Sequence, residues 1–119
     1  MANTDNKMIQ EIYKILSKDY IAIAKETLTI NNGGTGAIQT LASIPEGVNY
    51  ALFVVEAGTV ADSTKVCRFW HSGDNPTSAQ GFLMGNGGTF DIKGYDNIKK
   101  FKVLAQDNAN SVIQVQYYK

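Results

Sequence analysis

The chain has 119 residues and 13.0 kDa, with 11 Lys plus Arg against 11 Asp plus Glu, the size of one ordinary domain and too little for two. A hydrophobic fraction of 44% beside 18% charged residues supports a real core and excludes a disordered or collagen-like chain. The net charge of +0 supplies no field to gather phosphates or anionic lipid, so nucleic acid is not an expected partner.

The single cysteine, Cys67, cannot close an intrachain disulfide, and no run of about 18 apolar residues or charged-then-apolar leader suggests a membrane span or signal peptide. Synthesis in a cytoplasm, with no membrane partner, is the expectation.

Residues 5–19 place Met8, Ile9, Ile12, Tyr13, Ile15, Leu16 and then Tyr20 at spacings of three and four, with Lys7, Glu11, Lys14 and Lys18 between them. This pattern predicts an amphipathic helix, capped by Thr4 or Asp5 and laced by weak Lys7–Glu11 and Glu11–Lys14 pairs. A helix of about four turns is marginal alone in water, so its apolar face needs a surface, either this domain or another chain.

After residue 20 the period changes from 3.6 to 2. Strands are expected at Glu26–Ile30, Gly36–Leu41, Tyr50–Glu56, Val66–His71, Gly81–Met84, Thr89–Ile92, Lys100–Ala105 and Ser111–Tyr118. The separators are Asn31-Asn32-Gly33-Gly34, Ile44-Pro45-Glu46-Gly47, the loop 72–77, Gly85-Asn86-Gly87-Gly88, Gly94-Tyr95-Asp96-Asn97 and Asp107-Asn108-Ala109-Asn110, all rich in turn formers. The apolar run Tyr50–Glu56 reads as a central strand covered on both faces. In 66–71, alternation sends Cys67 and Phe69 inward and Arg68 and Trp70 outward.

Seven or eight short strands without crossover helices predict a mainly β fold, an antiparallel β-sandwich, jelly-roll-like or Ig-like, with one N-terminal amphipathic α-helix. The natural boundary makes residues 1–24 a helical anchor segment and residues 25–119 the β-sandwich domain.

Catalytic chemistry finds little to stand on. His71 is the only histidine; a base role would need Asp74 and Ser72 or Ser78 beside it, and no nucleophile-elbow motif surrounds either serine, so a loop-edge side chain bonded to backbone is the expected role. Cys67 reads as a small buried hydrophobe. Asp62, Asp74, Asp91, Asp96 and Asp107 fall in or beside turns without calcium-loop spacing. The loop Gly85–Gly88 precedes no helix that would aim N–H groups at a phosphate and is expected to be a hairpin turn. Lys99, Lys100 and Lys102 are offset by nearby acids and read as a solvated face. No metal or cofactor is expected.

Trp70, with Arg68 on the same strand face and Tyr95, Tyr117 and Tyr118 elsewhere, is the candidate aromatic platform for a sugar or a protein partner, core packing being the plainer role. The last strand ends at Tyr117-Tyr118-Lys119, paired within the sheet or offered to a neighbouring chain.

The succession Ile44-Pro45-Glu46-Gly47-Val48-Asn49-Tyr50-Ala51-Leu52-Phe53-Val54-Val55-Glu56, then Cys67-Arg68-Phe69-Trp70 leading to Gly73-Asp74-Asn75-Pro76-Thr77, then Asn97-Ile98-Lys99-Lys100-Phe101-Lys102 and the closing Val115-Gln116-Tyr117-Tyr118, resembles small β-sandwich virion proteins of tailed bacteriophages. Such modules recur as capsid-decorating, head-fibre or tail-associated subunits. The resemblance runs over residues 26–119 and does not include the N-terminal helix. It implies a non-enzymatic virion structural protein, made in the host cytoplasm, whose partners are the major capsid or other virion proteins and sister copies, a trimer among the assemblies it admits. Ile9, Ile12, Tyr13, Ile15 and Leu16 are the expected partner-binding residues, since helix-in-groove contacts need anchors at this spacing; the plainer role has the helix close the open end of its own sandwich. The alternative is a tail-associated carbohydrate-binding or host-attachment module using Trp70 and Tyr95.

Overall fold

The structure, a computed structural model, describes residues 20–30, 38–60, 64–106, 108–109 and 111–119. The predicted helix at 5–19, with Ile9, Ile12, Tyr13, Ile15 and Leu16, lies outside the described residues, as do the turn 31–34 and Asp62, Asp107 and Asn110.

The described chain forms β1 (Ala22–Ile30), β2 (Ile38–Thr40), β3 (Tyr50–Glu56), β4 (Thr59–Val60), β5 (Cys67–Trp70), β6 (Phe82–Met84), β7 (Thr89–Lys93), α1 (Tyr95–Lys99), β8 (Lys102–Ala105), β9 (Asn108–Ala109) and β10 (Ser111–Tyr118). The fold is mainly β. Two four-stranded antiparallel sheets run β1-β10-β3-β7 and β2-β8-β5-β6, and β4 pairs with β9 in a two-stranded ribbon.

Successive strands mostly change sheet, so the neighbours in each sheet come from distant parts of the chain. Among the described strands only β5 and β6 are consecutive partners. The Gly85–Gly88 loop is therefore not the hairpin turn its glycines suggest. It carries the chain from one sheet to the other, closed by Gly88 N–H to Gly85 C=O at 3.0 Å and tied to β3 by Gly87 N–H to Val55 C=O and Val55 N–H to Gly88 C=O, both 2.8 Å. The Asn86 side-chain oxygen also accepts from the Ala57 N–H at 3.0 Å.

Period-2 patterning decides which side chains meet. Ala51, Phe53 and Val55 of β3, Ile113, Val115 and Tyr117 of β10, and Cys67 and Phe69 of β5 point into one shared core. Its centre is aromatic. Phe53 and Phe90, opposite each other on β3 and β7, stack at 4.6 Å, and Phe90 stacks on Phe69 of the other sheet at 4.0 Å and 14°. Phe101 closes the group 4.9 Å from Phe53 and 5.6 Å from Phe69. Phe53, Phe69 and Phe101 are buried and Phe90 half-buried, so the stacked rings remove a large apolar area from water between the two sheets.

Three local expectations are corrected. Gly94-Tyr95-Asp96-Asn97 opens the one-turn helix α1, which seats Ile98 in the core with 0% exposure, rather than forming a simple turn. Strand β1 begins at Ala22, before the clear alternation at Glu26, because β10 offers a partner as far as Tyr118. Strand β3 is buried on one face only: Tyr50, Leu52 and Val54 alternate with the core residues and stay half-buried.

Candidate functional site

The outer corner of the β2-β8-β5-β6 sheet holds Arg68 and Trp70, outward on β5 as alternation predicts. Arg68 lies between Leu83 and Leu104 in register and donates from Nη1 to the Gly81 carbonyl at 2.9 Å, while its buried Nε has no partner. That bond returns the loop 71–81 onto the sheet with Pro76 buried beneath it. Gly81 is required there. Its φ is +126°, and a Cβ would stand 3.1 Å from Arg68 Cβ and 3.2 Å from Pro76 Cβ, a conformation and a space that only glycine tolerates.

Trp70 meets Phe82 edge-on at 5.2 Å, and Phe82 and Leu83, 53% and 40% exposed on the edge strand β6, extend this corner. Tyr95 packs against the core from α1, with Lys99 Nζ 4.9 Å above its ring. Among the described residues no ring contact joins Trp70 to Tyr95, so the two do not form one shared platform.

The other candidates stand apart. Ser72 donates to Asp74 Oδ2 at 2.7 Å, and among the described residues His71 bonds neither of them nor Ser78. Cys67 is buried with 0% exposure, and burial pushes its thiol up to about 12. No cluster of three or more His, Cys, Asp or Glu side chains with metal-binding geometry occurs among the described residues. Lys102 donates to Asn75 Oδ1 at 3.2 Å, and Lys99 covers Tyr95, so the expected basic face is divided between two local roles. No helix among the described residues is long and apolar enough to cross a membrane.

Among the described residues a concavity lies elsewhere, on the outer face of the β1-β10-β3-β7 sheet, as a groove of about 230 Å³. Its centre is β10. One cross-strand row is Lys25, Gln116 and Leu52, and the next is Thr27, Gln114 and Val54. The Thr27 hydroxyl donates to Gln114 Oε1 at 2.7 Å, which orients the Gln114 amide and leaves its N–H groups to the groove. Where the rows end, Tyr50 stacks on Tyr20 at 4.8 Å and meets Tyr118 edge-on at 5.4 Å. Burial and a hydrogen bond to Asp91 hold the Tyr50 phenol above its ordinary pKa, so it stays a neutral donor.

Periodicity alone exposes the signal for this face: Thr27 and Thr29 on one strand, Gln114 and Gln116 on another, each alternating with apolar residues. It does not show that the two strands are neighbours. Compared with protein-family models, with curated proteins and with solved structures, the chain matches none.

Proposed function

We propose that the chain is a non-enzymatic virion structural protein of a tailed bacteriophage, a capsid-decorating or head-associated subunit that docks on the particle through its N-terminal segment. The observation that carries this reading is the strand order. The order β1-β10-β3-β7 in one sheet and β2-β8-β5-β6 in the other, with the first two strands in different sheets, supports reading the connectivity as two interleaved Greek keys, the jelly roll used by viral capsid proteins, over the Ig-like alternative. Jelly rolls also serve lectins and enzymes. The phage resemblance selects among them, and its quoted segments fall on the framework: the entry to β3 and β3 itself, β5 with its following loop, the junction of α1 and β8, and the end of β10.

The docking element is the N-terminal segment, with Ile9, Ile12, Tyr13, Ile15 and Leu16 as anchors against the major capsid protein or sister copies. Tyr20, Ile21 and Ile23, exposed by 41%, 68% and 40% where the described chain enters edge strand β1, continue that apolar series. The alternative, a tail-associated host-attachment module built on Trp70 and Tyr95, has no aromatic platform joining those two residues.

Light scattering after size exclusion tests the assembly, on the full chain and on the full chain carrying Ile12→Asp with Leu16→Asp. A trimer or larger species that falls to a folded monomer supports the reading. Monomers in both cases, together with no retention on phage heads assembled without the protein, overturn it.

A further inference from the structure

We propose that the groove on the outer face of the β1-β10-β3-β7 sheet is a binding site for a short neutral saccharide. The proposal rests on described residues alone and does not depend on the virion reading or on Trp70.

Three features of the groove select this ligand. First, the groove is mostly apolar with hydrogen-bonding side chains along one side: Leu52 and Val54 form one wall, and segments 25–27 and 114–116, with Lys25, Thr27, Gln114 and Gln116 on the outer face, complete the lining. A pyranose ring presents a matching combination of C–H surface and hydroxyls. Second, the polar groups are uncommitted. Among the described residues the side chains of Lys25 and Gln116 make no hydrogen bond, and that of Gln114 spends only its carbonyl oxygen, on Thr27. Side-chain amides that both donate and accept match a hydroxyl's own dual capacity.

Third, size and charge narrow the occupant. At about 230 Å³ the groove takes about one ring rather than a whole drug-sized ligand, for which sites run to roughly 300–1,000 Å³. On this face Lys25 and Lys93, the latter opposite Tyr50, are offset by Asp91 opposite Leu52 and by Glu56 at the end of β3, so no net field favours phosphate.

The tyrosines supply the second subsite. Tyr118 and Tyr50 lie two residues along β10 and β3 from Gln116 and Leu52, roughly 7 Å away at the strand rise, within reach of a second sugar linked to the first. One ring in the groove therefore places its neighbour beside the Tyr20–Tyr50–Tyr118 cluster, in which Tyr20 stacks on Tyr50 and Asp91 holds the Tyr50 hydroxyl.

The test is a titration of the full chain with maltotriose, N,N′,N″-triacetylchitotriose and mannotriose, read from the side-chain amide resonances of Gln114 and Gln116 in nitrogen-15 spectra. Saturable shifts at both amides with at least one sugar, at ~1–10 mM as expected for a shallow site, are the expected result. Gln116→Ala, an exposed change that leaves the core intact, weakens that binding roughly five- to ten-fold, the loss of one or two hydrogen bonds, while Trp70→Ala leaves it unchanged. No shift with any of the three sugars overturns the proposal, and so does binding that survives Gln116→Ala but is abolished by Trp70→Ala. Amide shifts that follow protein concentration rather than sugar also overturn it, by making a second copy of the chain the occupant.

Discussion

The Tyr117 hydroxyl donates to the Glu26 carboxylate, linking the end of β10 to β1 inside the sandwich. Tyr117 is 0% exposed, and the same carboxylate accepts the Ala42 and Ser43 backbone N–H groups at 3.2 and 3.1 Å. An inward glutamate on an edge strand thus gathers three donors and ties the segment after β2 to the first sheet. Tyr117→Phe is expected to cost about 1–2 kcal/mol, and Glu26→Ala at least as much because it leaves a buried phenol unpaired. Guanidinium unfolding checks both, and an unchanged midpoint in Tyr117→Phe would remove the hydroxyl from the account.

Alkaline pH is expected to weaken the fold through two buried acids. Burial, then the Glu26 hydrogen bond and charge, hold the Tyr117 phenol far above its ordinary 10.0, and burial alone raises the Cys67 thiol from 9.0 to about 12. Each group holds its proton more tightly folded than unfolded. The stabilisation is complete below the unfolded values and is lost as pH rises past 9.0 for the thiol and 10.0 for the phenol. Melting temperature measured against pH should fall above about pH 9, with Cys67→Ala flattening the first part of the decline and Tyr117→Phe the later part.

Cys67 should also stay unlabelled by a thiol reagent in the native protein at neutral pH, reacting only at the rate of unfolding, because a buried neutral thiol offers neither access nor thiolate. Rapid labelling without denaturant would contradict the burial of β5.

The stack of Phe69 on Phe90 joins the sheets at 4.0 Å. Phe69→Ala should cost about 3–5 kcal/mol, transfer and cavity terms together. Phe82→Ala, on an exposed ring at the edge, should cost about 1 kcal/mol or less. Comparable losses in thermal unfolding would place the core elsewhere.

At Gly81, alanine must adopt a φ of +126° with its Cβ 3.3 Å from the Phe69 backbone nitrogen. A loss of about 1–3 kcal/mol is expected. Gly87→Ala, at φ +78° but with nothing within 4 Å, should cost less, and the difference between the two variants isolates the crowding against Arg68 and Pro76.

The candidate site was partly visible before the fold. Alternation assigned Arg68 and Trp70 to an outer face, and both lie there. The groove was not visible, because it is built from β1, β10 and β3, which the chain order separates almost completely. Hydrophobic content made Tyr50–Glu56 look covered on both sides, yet what covers a strand depends on the elements packed over it, and period 2 reports only that there are two faces.

By itself the sequence determined the β class, the number of main strands and the inward choice at Cys67 and Phe69 on β5. These follow from local sterics and from a side-chain period set by the backbone. Strand partners, sheet assignment and the joining of Lys25, Gln116 and Leu52 in one row were decided only by tertiary structure. Any alternating strand can pair with any other until burial of a common core, here around Phe69 and Phe90, makes one arrangement lower in free energy than the rest.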